Sequence, residues 1–339
     1  MSGCAKHILL IRFSSLGDVA MSVPVVSAFL EAHPNCKISV LTKKEYAPLY
    51  AHLPDVDIIG VDFKKELNGL AGLFSLSKKI RLLKLDAIAD LHDVLRTKIL
   101  KFFLFRHSFL VVDKGRCERQ RLLNGGNLKP LNPMVERYAD VLRELGFEFS
   151  LDRPRFPKPT VLSKTMQLHL KKLAKPYIGI APFAAYNSKM YPLEKMKEVI
   201  SLLSKDYSVL LFGGGSYEIK IIDAITHKFP GSVSLAGKYS MAEELRIMGH
   251  LRLMLAMDSG NAHMAAMMGV KVITLWGVTH PFLGFKPFAQ PMENCLLSDR
   301  KKFPLIPTSV YGNKYPKGYE SAMATIDVAD VVKAVRKIV

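Results

Sequence analysis

Short apolar runs alternate with longer stretches in which apolar positions recur at three- and four-residue spacing. The runs at 7–13, 37–42, 56–61, 87–91 and 109–112 read as strands, and residues 14–18 as a turn. Helical patterns fill 19–32 (with Pro24 near its first turns), 43–52, 68–84, 94–105 and 134–146, the last ending at Gly146. Brief strands separated by helices predict a parallel sheet covered on both faces. Residues 152–160 then place three prolines in nine positions and read as an extended linker. Beyond it the alternation restarts, with strands at 177–181, 208–212, 232–235, 253–257 and 271–275. Helices are expected at 193–203, from the 213–215 glycine turn to about 229, after 258, and at 327–339 with Asp327 as its cap. The predicted class is α/β, two doubly wound domains at 1–160 and 161–326 with a cleft between them and ligands outside the carboxyl ends of the strands.

Composition narrows the class. No apolar run approaches the roughly 20 residues of a membrane span, and residues 8–11 are too short for the core of a signal peptide. Four cysteines (Cys4, Cys36, Cys117, Cys295) form no CxxC pair, which suggests neither a zinc site nor a disulfide framework and fits a reducing cytosol. The net charge is +18, with basic residues outnumbering acidic ones 25 to 17 over 1–160 and 23 to 13 over 161–339. The segment 96–121 is densest, with eight cations including Arg96, Arg116, Arg119 and Arg121 against Asp113 and Glu118. Such a field suits a polyanion, whether nucleic acid, an anionic lipid surface or a phosphorylated glycolipid, or is a solvated face alone. A nucleic-acid partner, which only the basic charge balance suggests, is not expected.

Four polar clusters follow predicted strands. In Phe13-Ser14-Ser15-Leu16-Gly17-Asp18, the carboxylate suits either a general base for a sugar hydroxyl or the cap of the next helix. Neither Gly-x-Gly-x-x-Gly nor a Walker pattern is present there, which argues against a dinucleotide oxidoreductase or a P-loop ATPase. Lys189, in the 181–192 loop beside Ser188, is either a point charge for a diphosphate leaving group or an exposed loop lysine. Gly213, Gly214 and Gly215 permit close backbone approach, and Glu218 suits ribose hydroxyls or is an ordinary first-turn glutamate. Asp258-Ser259-Gly260-Asn261-Ala262-His263 sits between a strand and a helix start, where free N–H groups and the dipole favour phosphate; the alternative is simple capping.

Taken in order, these segments resemble glycosyltransferase family 9, the heptosyltransferases of the lipopolysaccharide inner core. The resemblance is carried by Ile11-Arg12-Phe13-Ser14-Ser15-Leu16-Gly17-Asp18-Val19, Lys189, Gly213-Gly214 with Glu218, Asp258-Ser259-Gly260-x-x-His263-x-x-Ala266, and Leu275-Trp276-Gly277-Val278-Thr279-His280-Pro281. It implies a GT-B fold of two Rossmann-like domains, with the 327–339 helix returning to the first. It implies an inverting transfer of heptose from a nucleotide-diphosphate sugar, typically ADP-heptose, to an anionic lipopolysaccharide acceptor, with no obligatory metal. Asp18 would be the base and Lys189 the diphosphate counter-charge. Ser188, Gly213, Gly214, Glu218, Asp258, Ser259, Gly260 and His263 would bind the donor. Ser14, Ser15, Gly17, Arg96, Arg116, Arg119 and Arg121 would meet the acceptor, at the cytoplasmic face of the inner membrane, which the protein would touch peripherally. A sugar-nucleotide 2-epimerase on the same fold, or transfer from another nucleotide sugar, is the alternative reading. The chain departs from the familiar members at Phe183-Ala184-Ala185 and over 298–319.

Overall fold

A computed structural model describes residues 6–53, 55–171, 173 and 176–339. Cys4 therefore lies outside the described residues. The chain divides into two compact units, Met1–Lys114 with Met134–Arg155, and Gly115–Pro133 with Phe156–Val339.

The first unit is built on β1 (His7–Ile11), β2 (Lys37–Lys43), β3 (Val56–Val61), β4 (Ala87–Asp90) and β5 (Ser108–Val111), all parallel in the order β3-β2-β1-β4-β5. Its α-helices are α1 (Leu16–Ala32), α2 (Gly69–Arg81), α3 (Leu95–Phe103) and, after the excursion into the second unit, α5 (Met134–Glu144). Ile8, Leu9, Leu10 and Ile11 are fully buried, as a central parallel strand under helices on both faces requires. Helix α1 begins three residues earlier than its apolar pattern, so Asp18 is its third residue rather than part of a turn. Residues 44–50 form a 3₁₀-helix where an α-helix is expected.

The second unit carries β6 (Tyr177–Ala181), β7 (Ser208–Leu211), β8 (Ser232–Ser234), β9 (Leu253–Met257), β10 (Lys271–Trp276) and β11 (Cys295–Leu297) in the order β11-β10-β9-β6-β7-β8, again all parallel. Helices α4 (Arg116–Leu123), α6 (Lys164–Leu170), α7 (Leu193–Leu203), α8 (Gly215–Lys228), α9 (Met241–Met248), α10 (Gly260–Met267) and α11 (Val328–Ile338) belong to it. Both sheets reverse direction once. The reversal lies between β1 and β4 in the first and between β6 and β9 in the second, which is where doubly wound sheets bind ligands.

The C-terminal helix does not return to the first unit: its stripe Val331, Val332 and Val335 joins the second unit's core against α7, β9 and β10, and Arg336 pairs with Asp206 at 2.6 Å. Nor does 96–121 lie wholly in the first unit. Residues 115–133 belong to the second unit, where Arg119 is buried, donates from Nε to the Leu283 carbonyl (3.0 Å) and stacks 4.4 Å over the Phe285 ring. A buried guanidinium over an aromatic ring and bonded to a carbonyl contributes to packing.

Candidate active site

Three adjacent strands of the second sheet, β9, β6 and β7, each end in one of the polar clusters, and their neighbour β10 ends in the Gly277-Val278-Thr279-His280 segment. Neighbouring strands lie about 4.8 Å apart, so the ends form one continuous polar edge. After β6 a 3₁₀ turn at Asn187–Lys189 brings the Lys189 ammonium 2.7 Å from Oδ2 of Asp258, at the end of β9. Both side chains are largely buried, at 13% and 9% exposed. The Thr279 hydroxyl, beyond β10, donates to the same carboxylate oxygen at 2.9 Å. Asp258 thus spends its charge on Lys189 and is oriented by Thr279, which leaves the ammonium anchored with N–H donors to spare.

Beside this pair, α10 starts with Ser259 as its N-cap in extended conformation, yet the Ser259 hydroxyl caps nothing and is buried without a hydrogen-bond partner. A buried orphan hydroxyl at the positive end of a helix is what an oxyanion ligand would satisfy. His263, one turn further on, is buried. On the β7 side, Glu218 in the first turn of α8 accepts the Gly214 N–H at 2.8 Å and holds the glycine turn in place. Gly277, after β10, needs to be glycine because a Cβ there would run into the carbonyl oxygen of Ser188. Ser188 is buried and its hydroxyl donates to the carbonyl of Gly312. Gly312 sits at φ +83° against the Lys189 stem, where a Cβ would lie 2.7 Å from Cγ and Cδ. The 298–319 segment, which departs from the family pattern, therefore packs directly onto the lysine.

The first sheet presents a second cluster at its own reversal. Arg12, buried at the end of β1, forms an ion pair with Oδ2 of Asp18 (2.6 Å) and donates to the Leu91 carbonyl (2.6 Å). The Ser15 N–H and hydroxyl also donate to Asp18 Oδ2, at 3.1 and 2.7 Å, and the Tyr138 hydroxyl lies 3.5 Å from Oδ1. Asp18 therefore does act as a helix-start cap, and its position in the first turn of α1 at the switch point also suits the catalytic reading. Asp90 ends β4, and Leu91-His92-Asp93 follow it. Burial raises the Asp90 carboxyl, which accepts the N–H groups of His92 (2.8 Å) and Asp93 (3.1 Å). His92 Nε2 lies 3.5 Å from the Ser14 hydroxyl, and burial, then the charges of Arg12 and Lys114, push its imidazole down to about 3.

The structure thus brings Lys189, Asp258, Ser259 and Gly260 together, and separately Ser14, Ser15, Gly17 and Asp18. Arg96 is exposed on α3 with its guanidinium 5.0 Å over the Phe63 ring, and Arg116 and Arg121 are exposed on α4. Sequence reasoning missed Arg12, Tyr138, His92 and Thr279. The signal for His92 was present, a polar Asp-x-His-Asp run at the end of a buried strand. No group of three or more His, Cys, Asp or Glu arranged to hold a metal occurs among the described residues.

Known proteins resemble this chain over most of its length. A model of Glycosyltransferase family 9 (heptosyltransferase) matches residues 73–309. Lipopolysaccharide heptosyltransferase 3 of Escherichia coli is 26% identical over 95% of this chain and 96% of its own. A glycosyl transferase family 9 structure from Veillonella parvula superposes with a TM-score of 0.76 at 20% identity, covering 100% of this chain and 98% of that one. The E. coli heptosyltransferase WaaC with ADP-2-deoxy-2-fluoro heptose superposes at 0.68 and 16% identity, covering 98% and 99%. The fold is GT-B, the enzyme is a glycosyltransferase, and the chain belongs to glycosyltransferase family 9, the heptosyltransferase family.

Proposed function

We propose that this enzyme transfers heptose from ADP-heptose to an anionic lipopolysaccharide core acceptor by a single displacement with inversion. The Lys189–Asp258–Thr279 anchor beside the orphan Ser259 hydroxyl is the observation that carries this reading. As the bond from the anomeric carbon to the diphosphate breaks, charge grows on the leaving phosphate. Lys189 and the α10 start supply the opposite charge, fixed in advance in a site with little water to reorganise. These two groups do the work a divalent ion does elsewhere, so no metal is obligatory. Asp258 orients the lysine, since a bare carboxylate facing a diphosphate would be repelled by it. The Gly213-Gly214 turn and Glu218 receive the nucleotide ribose, and His263 completes the donor side.

On the acceptor side, Asp18 takes the proton of the attacking hydroxyl while its oxygen bonds to the anomeric carbon. Ser14, Ser15 and Gly17 shape the loop in which this happens. Arg96, Arg116 and Arg121 contribute to the field that attracts the acceptor's phosphates or carboxylates. The reaction takes place at the cytoplasmic face of the inner membrane. No described helix is long and apolar enough to cross a membrane, and contact with it is peripheral.

Titration calorimetry with ADP, UDP, GDP and CMP, with and without Mg²⁺, tests the donor side. Selective ADP binding that is indifferent to Mg²⁺ is expected. A preference for UDP, or binding that disappears on chelation, would overturn the assignment of donor or of counter-charge.

A further inference from the structure

Six large apolar side chains are exposed within one stretch of the first unit. Leu70, Leu82, Leu95, Phe102 and Phe105 are each at least 64% exposed and Phe74 is 42% exposed. They are not scattered. On α2, Leu70 and Phe74 stand one turn apart and lead into Lys78 and Arg81, while Leu73, Leu76 and Ile80 point into the core. On α3, Leu95, Lys98 and Phe102 share a face at three- and four-residue spacing, while Thr97, Leu100 and Leu104 are buried. The half-buried Phe103 joins the two stripes, with its ring centroid 5.4 Å from Phe74 and 5.8 Å from Phe102, and Arg81 donates to its carbonyl.

Cations surround these apolar crests. Lys78, Lys79, Arg81, Lys84, Arg96, Lys98, Lys101 and Arg106 are all exposed. The Lys78 ammonium lies 4.7 Å over the Phe74 ring and the Arg106 guanidinium 5.7 Å over Phe105. Acidic residues in the same stretch are few: Asp90 is buried, Asp93 pairs with Lys98 at 3.6 Å, and Asp86 pairs with Lys6 at 3.4 Å. Contiguous exposed apolar surface of this kind marks an interaction site. A second copy of the chain docking through the same face would set like charges against like. A nucleic acid would leave Leu70, Leu82 and Leu95 with nothing to stack on. An anionic bilayer satisfies both features. Phenylalanine and leucine side chains enter below the headgroups, and the long lysine and arginine stems let their charges stay at the level of the phosphates.

We propose that the α2–α3 face docks the enzyme peripherally on an anionic phospholipid bilayer. This gives the membrane contact a location, and it rests on the proposed reading only for the claim that the acceptor is lipid-borne. Flotation of the full-length protein with phosphatidylcholine vesicles, with and without phosphatidylglycerol, tests it. The protein is expected to float with phosphatidylglycerol vesicles only. The combined variant Phe74→Ser, Phe102→Ser, Phe105→Ser is expected to partition at least about tenfold less while binding ADP as the parent does. Equal partition of parent and variant, or no partition of the parent, overturns the proposal. So does self-association in the analytical ultracentrifuge that the variant abolishes, which would assign the face to a second copy. Phe102→Trp gives an independent readout, because the chain's one tryptophan, Trp276, is buried and contributes a constant background. Its emission should shift to the blue on phosphatidylglycerol vesicles, and an unshifted spectrum counts against insertion. The vesicles contain no glycolipid and the ADP control reads the donor side alone, so failure here and failure of the heptosyltransfer reading are separable.

Discussion

The Lys189 ammonium rests 2.7 Å from Oδ2 of Asp258, at the ends of two strands that flank the point where the second sheet reverses. The pair is nearly dry, so each partner fixes the other more firmly than a surface pair would. Lys189→Gln keeps a hydrogen-bonding group of similar length and removes the charge. It is expected to lower turnover by about 10²- to 10³-fold, the scale of losing one preorganised donor to a developing oxyanion, and to weaken ADP binding. Steady-state kinetics together with ADP calorimetry check this. A variant with lower thermal stability but unchanged kcat and ADP affinity would leave Lys189 a structural ion-pair partner only.

Asp18 poses a choice between cap and base, and Asp18→Asn separates them. An amide oxygen at the same place still accepts from the Ser15 N–H and hydroxyl, so the Ser15 contacts are kept while the base, and with it the ion pair to Arg12, is lost. Turnover is expected to fall by about 10²- to 10⁴-fold with ADP affinity intact. Ser15→Ala does the reverse, removing one of the two Ser15 donors at a cost of about 1 kcal/mol while sparing the carboxylate. If Asp18→Asn retains most of the parent's kcat, the carboxylate is a cap and the proton goes elsewhere.

Much of this was legible from pattern. The strands 56–61, 177–181 and 253–257 match the observed β3, β6 and β9 residue for residue; β6 and β9 are buried throughout and read as bare apolar runs, while the edge strand β3 is marked by its apolar residues between polar turns. The site clusters were legible for the same reason, since they follow such strands. The misses have physical causes. Helix α4 is almost wholly polar, so no apolar period marks it, and its buried Arg119 looks in sequence like any surface cation. Helix α9 carried a readable signal, Ser240 with Glu243 as a capping box, but only eight residues of helix follow. The three-residue β11 is an edge strand too short to show alternation. The apolar stripe of α11 fits any complementary groove, so its pattern says that the helix docks but not where. Thr279 escaped because its partner Asp258 sits at the end of a neighbouring strand, and Arg12 because nothing in the sequence shows that its side chain turns back on nearby Asp18.

Two glycines of the donor loops should respond differently to alanine. At Gly277 a Cβ meets the backbone carbonyl of Ser188, which cannot move without shifting the Lys189 turn. Gly277→Ala is therefore expected to cost about 1–3 kcal/mol of stability and to weaken donor binding with it. At Gly214 the backbone is extended and a methyl group added there would meet nothing within 4 Å, so the fold itself does not need glycine. Gly214→Ala should be neutral in thermal melts. Any loss of ADP affinity it shows then reports the close approach of the nucleotide to the turn, and unchanged affinity would remove Gly214 from the donor contacts.

His92 ties acid stability to the acceptor-side cluster. An unfolded histidine takes up a proton near pH 6.5, whereas burial, then the charges of Arg12 and Lys114, hold the folded imidazole down to about 3. Below 6.5 the unfolded chain gains a proton that the folded chain refuses, so the stability His92 allows is full above that pH and is lost as pH falls toward 3. The loss amounts to about 2 kcal/mol between neutrality and pH 5. His280, pushed down to about 4 by burial and then Arg300, acts in the same direction. Glu244, which burial raises to about 7, acts in the opposite one, losing its contribution as pH rises through 7. Only the difference between parent and variant therefore isolates His92. Urea unfolding at pH 5 and pH 7.5 should show a smaller acid loss for His92→Gln than for the parent, by about 2 kcal/mol. An identical loss in both would mean that His92 accepts its proton in the folded state, and that the cations around it do not exclude charge from the β4 end of the site.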